Sequence, residues 1–147
     1  MLQRIYIDTS IVGGYFDEEF SEATIMLFQR LENHEILFVV SDLLDLELIK
    51  APQHVRELLL KYSPDRFERV ELTEAANILA DAYISEKVVG KTSLEDCRHI
   101  ALATINKVDV LASWNFKHIV NLDRIKGYNS VNLRRGYPMI EIRSPKD

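Results

Sequence analysis

The segment Ile36–Val40 restricts the fold more than any other part of the chain, because it is an unbroken run of apolar, mostly β-branched residues. Strands buried on both faces of a parallel sheet have continuous apolar sequences of this kind, whereas half-exposed strands alternate between apolar and polar residues. We therefore predict a buried, parallel strand here. The run is also the longest apolar stretch, and it is far shorter than the ~20 residues that a membrane span requires, so no membrane partner is expected.

Four further segments are predicted to be strands, and helical patterns separate them. The predicted strands are 4–7, 67–72, 108–114 and 139–142, and the predicted helices are 21–33, 43–50, 54–62, 73–89, a helix that includes Leu94 to Ile105, and 118–133. Gly13 and Gly14 are assigned to a turn. This alternation predicts an α/β fold of three layers, in which helices cover both faces of a mainly parallel sheet. No linker-like stretch divides the chain, so residues 1–147 are expected to form a single domain.

Charge is distributed unevenly along the chain. The sequence has 18 basic and 23 acidic residues, a formal net charge of −5, which argues against a general polyanion-binding surface. Residues 117–147 nevertheless contain 7 basic and 3 acidic side chains. Cys97 is the only cysteine, which excludes an intrachain disulfide and a cysteine-based zinc site and fits a reducing compartment. With no signal-peptide pattern at the N-terminus, we expect a cytoplasmic protein.

Candidate functional residues are those that follow predicted strands, because ligands bind at the carboxyl ends of the strands in such sheets. Asp8 directly follows the first strand, where it either caps the next segment or binds a ligand. Glu47 lies in a short helix otherwise rich in leucine, which favours a functional role over a solvated face. Asp96 stands three residues after Ser93, and this capping-box spacing also fits a purely structural role.

Three carboxylates with few basic residues between them repel one another unless a cation lies among them. Carboxylate oxygens suit Mg²⁺ or Mn²⁺ better than zinc or copper. A cation held in this way can activate water and stabilise the charge on a phosphate that is being cleaved. The four histidines show no spacing typical of metal ligands, and His99 and Cys97 are interpreted as structural residues of a helix.

Four motifs occur in an order that resembles the PIN-domain family. They are a strand followed by Asp8-Thr9-Ser10, Ser41 with Glu47 six residues later, the segment Asp96-Cys-Arg-His-Ile-Ala-Leu-Ala, and the segment Leu111-Ala-Ser-Trp-Asn-Phe-Lys-His-Ile. Together they extend from residue 5 to about 120, nearly the whole predicted domain. The resemblance is strongest to the VapC-type toxins of bacterial type II toxin–antitoxin pairs.

The resemblance implies an endoribonuclease that depends on Mg²⁺ or Mn²⁺, in which Asp8, Glu47 and Asp96 bind the metal. Asn115 stands at a fourth position where the family often has an aspartate, so the binding of a second metal is in question. The implied partners are an RNA substrate, a cognate antitoxin and a second copy of the chain in a homodimer. Hydroxyl groups that are expected to support the carboxylates belong to Thr9 and Ser113.

The basic residues near the end of the sequence have two interpretations, since they either hold RNA phosphates at the edge of the site or form a solvated charged face. These residues are Lys117, Arg124, Lys126, Arg134 and Arg135. An alternative function is a catalytically weak scaffold or RNA-binding subunit, because the fourth acid is replaced. A phosphoacceptor receiver domain is disfavoured, since no pair of acidic residues follows the first strand.

Overall fold

The computed structural model describes residues 2–147 and contains a central sheet of five parallel strands. The strands are β1 (Gln3–Ile7), β2 (Ile36–Ser41), β3 (Phe67–Val70), β4 (Val110–Ala112) and β5 (Ile142–Arg143). Their order across the sheet is β3-β2-β1-β4-β5, so β1 lies at the centre, and every neighbouring pair is parallel. The predicted parallel sheet is therefore confirmed.

Seven helices connect the strands over the described residues. They are α1 (Thr9–Gly14), α2 (Ser21–Glu32), α3 (Asp42–Ile49), α4 (Gln53–Arg56), α5 (Glu74–Ser85), α6 (Leu94–Ile105) and α7 (Leu122–Arg134). Short 3₁₀ turns at Leu59–Lys61, Pro64–Arg66 and Lys91–Ser93 complete the connections. No helix within residues 2–147 combines the length and the apolar character that crossing a membrane requires.

Alternate residues of β1 face opposite sides of the sheet, as the pleat of a strand requires. Tyr6 is buried on the side covered by α5, α6 and α7, whereas Ile5 and Ile7 are buried on the side covered by α1 to α4. Both faces of β2 are buried as well, since neither Phe38 nor Val39 has exposed surface. The three-layer α/β architecture and the buried second strand are thus as predicted.

The helix α1 is the first departure from the prediction, because it replaces the turn expected at Gly13 and Gly14. Asp8 caps this helix by accepting a hydrogen bond from the backbone N–H of Ile11. Gly14 is buried, and a Cβ atom at this position would lie 2.6 Å from Nε1 of Trp114. The glycine therefore permits close packing of a helix rather than a turn.

Several element boundaries also differ from the prediction. The fourth and fifth strands contain only three and two residues, fewer than expected. The helix predicted at 54–62 is α4 followed by a single 3₁₀ turn, Leu59–Lys61. The last helix starts at Leu122 rather than at 118, because the side chain of Asn115 caps a turn and that of Asn121 caps the helix.

Candidate active site

A small pocket of about 110 Å³ lies at the carboxyl edge of the sheet, where β1, β2 and β4 end. The residues that line it come from four separate parts of the chain. They are Asp8, Thr9, Ser10, Glu47, Asp96, His99 and Asn115. The structure thus brings together the four expected site residues, and the lining contains three carboxylates but no lysine or arginine.

Asp8 is the most buried acid of the pocket, with 4% of its surface exposed. Its Oδ1 accepts hydrogen bonds from Ser10 Oγ (2.6 Å) and the Ile11 N–H (3.3 Å), and its Oδ2 accepts one from Ser113 Oγ (2.6 Å). Burial raises the pKa of Asp8, and the nearby His99 and the two serine hydrogen bonds oppose this only in part. Asp8 is therefore a helix cap and a rigidly held pocket acid at once.

Glu47 enters the pocket from α3 and is half-buried. Its Oε1 accepts a hydrogen bond from Nε2 of His99 (2.7 Å) and another from the hydroxyl of Thr9. Burial raises the pKa of Glu47, but the hydrogen bond of His99, its positive charge when protonated, and the Thr9 hydrogen bond together outweigh it, so the pKa is lowered. Glu47 is thus ionised at neutral pH.

His99, which we expected to be purely structural, belongs to this pocket. It is 2% exposed, its Nε2 contacts Glu47, and its Nδ1 lies 2.6 Å from the hydroxyl of Tyr6. The Tyr6 hydroxyl in turn lies 2.9 Å from Ser41 Oγ. The spacing of three residues between Asp96 and His99 could have indicated this, because residues three apart share one face of a helix.

Asp96 lies in the first turn of α6 and does not form the capping box that its spacing predicts. The side chain of Ser93 makes no capping bond, and its Oγ is buried without a partner among the described residues. Glu95, the other acid in this turn, forms an ion pair with an arginine of the same helix. Burial raises the pKa of Asp96, His118 lowers it, and the charge of Asp8 raises it further. The side chain of Asp96 therefore lines the pocket instead of forming a capping box at the start of α6.

Asn115 lines the pocket, and the backbone of the following turn binds its side-chain oxygen. Its Oδ1 accepts hydrogen bonds from the backbone N–H groups of Lys117 (3.2 Å) and His118 (3.0 Å), which fixes the orientation of the amide. The side chain is also a hydrogen-bond partner of Asp96 and lowers the pKa of that acid. Asn115 therefore favours the ionised form of Asp96, and its own oxygen is bound by the backbone.

The basic residues that were considered either as RNA contacts or as a solvated face do not lie together. Lys117 is exposed in the loop that follows β4, and Arg124 donates a hydrogen bond of 2.5 Å to a backbone carbonyl before α6. Arg134 and Arg135 both pair with Glu86, at the far end of the 13-residue helix α7. A helix of this length separates them from its start by about 18 Å. Arg134 and Arg135 are thus remote from the pocket.

A larger cavity of about 350 Å³ lies beside β3 and is mainly apolar. Its walls include Leu48, Leu59 and Tyr62. Two of its charged residues, Asp45 and Arg69, pair with each other. Because its lining contains no cluster of acids or histidines, the acidic pocket is the better candidate for a chemical site.

The donor atoms of the acidic pocket fit a hard divalent cation such as Mg²⁺ or Mn²⁺, since they are carboxylate oxygens with no lysine or arginine in the pocket lining. Within residues 2–147, however, no three acidic, histidine or cysteine side chains are arranged to hold a metal ion. The expected three-acid set is not preassembled, because Glu47 is tied to His99 and Thr9. Mg²⁺ commonly uses one or two carboxylates with water and phosphate oxygens. Asp8 and Asp96 are the acids that fit this role.

The sequence matches no family model and no curated protein, so its likeness to known proteins comes from structure. The FitAcB structure from Neisseria gonorrhoeae has 12% identity and a TM-score of 0.61, over 97% of this chain and 98% of that chain. VapC20 from Mycobacterium tuberculosis, a sarcin–ricin loop cleaving toxin, has 11% identity and a TM-score of 0.59, over 77% and 91%. A toxin–antitoxin complex from Klebsiella pneumoniae has 18% identity and a TM-score of 0.55, over 77% and 88%.

The TM-scores show a shared fold, and with identities of 11–18% the likeness shows the fold alone. Because nearly all of both chains is matched in the FitAcB comparison, α7 and β5 belong to the shared architecture rather than to an addition. The chain therefore has the three-layer PIN-type fold of the VapC20 and FitAcB structures, as its motifs predicted.

Proposed function

We propose that this protein is a divalent-metal-dependent endoribonuclease and the toxin of a toxin–antitoxin pair. The observation that carries the proposal is the acidic pocket, where Asp8, Glu47 and Asp96 meet at the carboxyl edge of the sheet without a lysine or arginine in the lining. Burial raises the pKa of both Asp8 and Asp96, and the charge of Asp8 raises the pKa of Asp96 further. Perturbed acids of this kind cluster at functional sites.

The side chains around the pocket prepare it for phosphodiester hydrolysis. Asp8 and Asp96 would hold the Mg²⁺ or Mn²⁺ ion, which supplies a polarised water when bound and offsets the charge of the cleaved phosphate. Ser10 and Ser113 orient the carboxylate of Asp8 by donating one hydrogen bond to each oxygen. The side chain of Asn115 favours the ionised form of Asp96, since it lowers the pKa of that acid.

Glu47 provides a fixed negative charge beside this pair of acids. Its Oε1 is held by His99 and Thr9, so its Oε2 is the oxygen left to accept a hydrogen bond from water beside the phosphate. The lowered pKa of Glu47 keeps it ionised throughout the neutral range. Its role is therefore to orient water, not to donate a proton.

The structural neighbours support the choice of substrate and partner. One of them cleaves the sarcin–ricin loop, and another is a toxin–antitoxin complex. By analogy we propose RNA as the substrate of this chain, a cognate antitoxin as its partner, and a homodimer as its assembly, which light scattering on the purified protein will test. Among the basic candidates we propose Lys117 as the contact to phosphate, because it is exposed and its backbone N–H binds the pocket residue Asn115.

Cleavage of a defined RNA in Mn²⁺, Mg²⁺ or EDTA tests this function. We expect cleavage with either metal and none with EDTA. Asp96→Asn should lower the rate by about 100-fold or more, because removing a group that merely supports a metal ligand already costs about 10–100-fold. Glu95→Gln is the matched control, since this neighbour is exposed and ion-paired outside the pocket. Full activity of Asp96→Asn, or cleavage that resists EDTA, would refute the proposal.

A second candidate is a catalytically weak scaffold or RNA-binding subunit. It is favoured by Asn115, whose oxygen is used by the backbone, and by the absence of a preassembled three-acid group from residues 2–147. This alternative predicts that the protein retains RNA in a gel-shift assay but yields no cleavage product with Mn²⁺. The two assays on the same RNA therefore separate the candidates.

A further inference from the structure

A chain of side-chain hydrogen bonds runs from the end of β2 to the acidic pocket. Ser41 Oγ lies 2.9 Å from Tyr6 Oη, Tyr6 Oη lies 2.6 Å from His99 Nδ1, and His99 Nε2 lies 2.7 Å from Glu47 Oε1. Ser41 and Tyr6 have no exposed surface, and His99 is 2% exposed. Because water has little access to these groups, each of them depends on its protein partners.

The chemistry of the two ends fixes the direction of this chain. Ser41 Oγ accepts a hydrogen bond from the backbone N–H of Leu44 (3.1 Å), so its proton is free to be donated. A carboxylate can only accept a hydrogen bond, so His99 donates its Nε2–H to Glu47. In the neutral ring Nδ1 then accepts from Tyr6, and Ser41 donates to Tyr6. In the opposite direction the Ser41 proton would have no acceptor among residues 2–147.

We propose that His99 is a positioning residue for Glu47 in phosphodiester cleavage, and that Tyr6 and Ser41 fix its tautomer. This inference rests on the function proposed above. His99 and Thr9 together occupy Oε1 of Glu47, so Oε2 remains the single oxygen available to the substrate side. A hydrogen bond that fixes one carboxylate oxygen also fixes the direction of the other.

The placement of these residues agrees with a role in the site. Ser41 caps α3, the helix that carries Glu47 six residues later. The same hydroxyl thus helps to define the start of the helix and, through Tyr6 and His99, the position of its acid. A histidine that served packing alone would not need hydrogen bonds from both ring nitrogens, one of them to an acid of the pocket.

The tautomer of His99 can be measured on the metal-free protein by ¹⁵N NMR of the imidazole nitrogens. The chain has four histidines, so the signals of His99 are identified by their loss in His99→Gln. We expect the neutral form of the ring to carry its proton on Nε2, and we expect Tyr6→Phe to disturb this preference. A neutral ring with its proton on Nδ1 in the wild-type protein would overturn the proposal.

The consequence for catalysis is tested with three variants. Tyr6→Phe and His99→Phe should each lower the cleavage rate by about 10–100-fold, as groups that support a pocket acid typically do. His99→Gln should restore the rate to within a few-fold of wild type, because its amide can replace the Nε2–H donor. Rescue by glutamine is a result that a purely structural role for His99 does not produce.

Tyr83→Phe is the matched control, because Tyr83 is equally buried and its hydroxyl donates to Asn132 on the same side of the sheet, away from the pocket. It should lose stability as Tyr6→Phe does and cleave RNA at the wild-type rate. The positioning role fails if Tyr6→Phe and His99→Phe cleave like wild type, or if Tyr83→Phe is equally impaired. Wild-type protein that cleaves no RNA refutes the proposed function instead, which distinguishes the two failures.

Discussion

The two adjacent glycines of α1 should respond to alanine in opposite directions. A Cβ atom on Gly14 would lie 2.6 Å from Nε1 and 2.7 Å from Cδ1 of Trp114, and 3.1 Å from Oγ1 of Thr24. A Cβ atom on Gly13 would have no neighbour within 4 Å. The pair therefore compares a steric conflict with the ordinary effect of alanine in the same helix.

Trp114 cannot move aside at low cost. Its indole is 5% exposed, donates a hydrogen bond to Thr24 (2.9 Å) and stacks on Phe20 with ring centroids 4.2 Å apart. Overpacking of such a site costs about 1–3 kcal/mol, and alanine regains about 1 kcal/mol of helix propensity. With partial loss of the indole hydrogen bond, worth about 1 kcal/mol, we expect Gly14→Ala to destabilise the fold by about 2 kcal/mol.

Gly13→Ala should instead stabilise the protein by about 0.5–1 kcal/mol, because alanine loses less backbone entropy in a helix. For a chain of 147 residues, 1 kcal/mol corresponds to about 3 °C in Tm. We therefore expect Tm to fall by about 6 °C in Gly14→Ala and to rise by about 2 °C in Gly13→Ala. Urea unfolding, followed by circular dichroism and by the fluorescence of the single tryptophan, measures both changes. Equal changes in Tm for the two substitutions would contradict the close packing of α1 on Trp114.

Three further predictions concern the pocket and the helix ends. Burial raises the pKa of Asp96 in the folded chain, so the contribution of this acid to stability is present at acid pH and is lost as pH rises through the raised pKa. In metal-free buffer, urea unfolding should therefore show Asp96→Asn to be more stable than wild type at pH 8 but not at pH 3. Saturation with Mn²⁺ at 100 times Kd should stabilise wild type by about 2.7 kcal/mol in a thermal-shift assay, and Asp8→Asn should show no such shift. Lys87 and Lys107 have positive φ angles of 64° and 53° just after α5 and α6. Glycine at either position should raise the free energy of unfolding by about 0.5–1 kcal/mol, measured by calorimetry. A lower free energy of unfolding would contradict the left-handed backbone at that position.

Elements with several concordant local signals could be predicted from the sequence. The helix α3 begins with a serine cap at Ser41, and α5 begins with a threonine cap at Thr73, both at the positions that the residue pattern indicates. The end of α5 was predicted at Val89 but occurs at Ser85, because the helix stops at a lysine in the left-handed conformation rather than at a glycine. Local sequence patterns do not reveal such a helix end, since lysine rarely adopts the left-handed backbone conformation.

In the candidate site, too, local sequence patterns predict some residues and miss others. Asp8, Glu47 and Asp96 could be found because each follows a recognisable element, and parallel strands bring their carboxyl ends to one edge. The contact between Tyr6 and His99 joins residues 93 positions apart, so no local spacing specifies it. Capping-box spacing was misleading at Asp96 for a related reason, because three-residue spacing places a carboxylate near a helix start without deciding whether it faces backbone or pocket.

The distribution of charge gives the proposed binding events an order. Two unit charges 4 Å apart interact with about 4 kcal/mol near a protein surface, so a phosphate that approached the metal-free pocket would be repelled by Asp8, Glu47 and Asp96. The two arginines at the end of α7 cannot offset this repulsion, since they are remote from the pocket and paired with Glu86. If the proposed function holds, we therefore expect the cation to bind before RNA and to form part of the RNA-binding surface. A net charge of −5 is compatible with the proposed action on RNA for this reason, because the bound ion would present positive charge at the point where the phosphate makes contact.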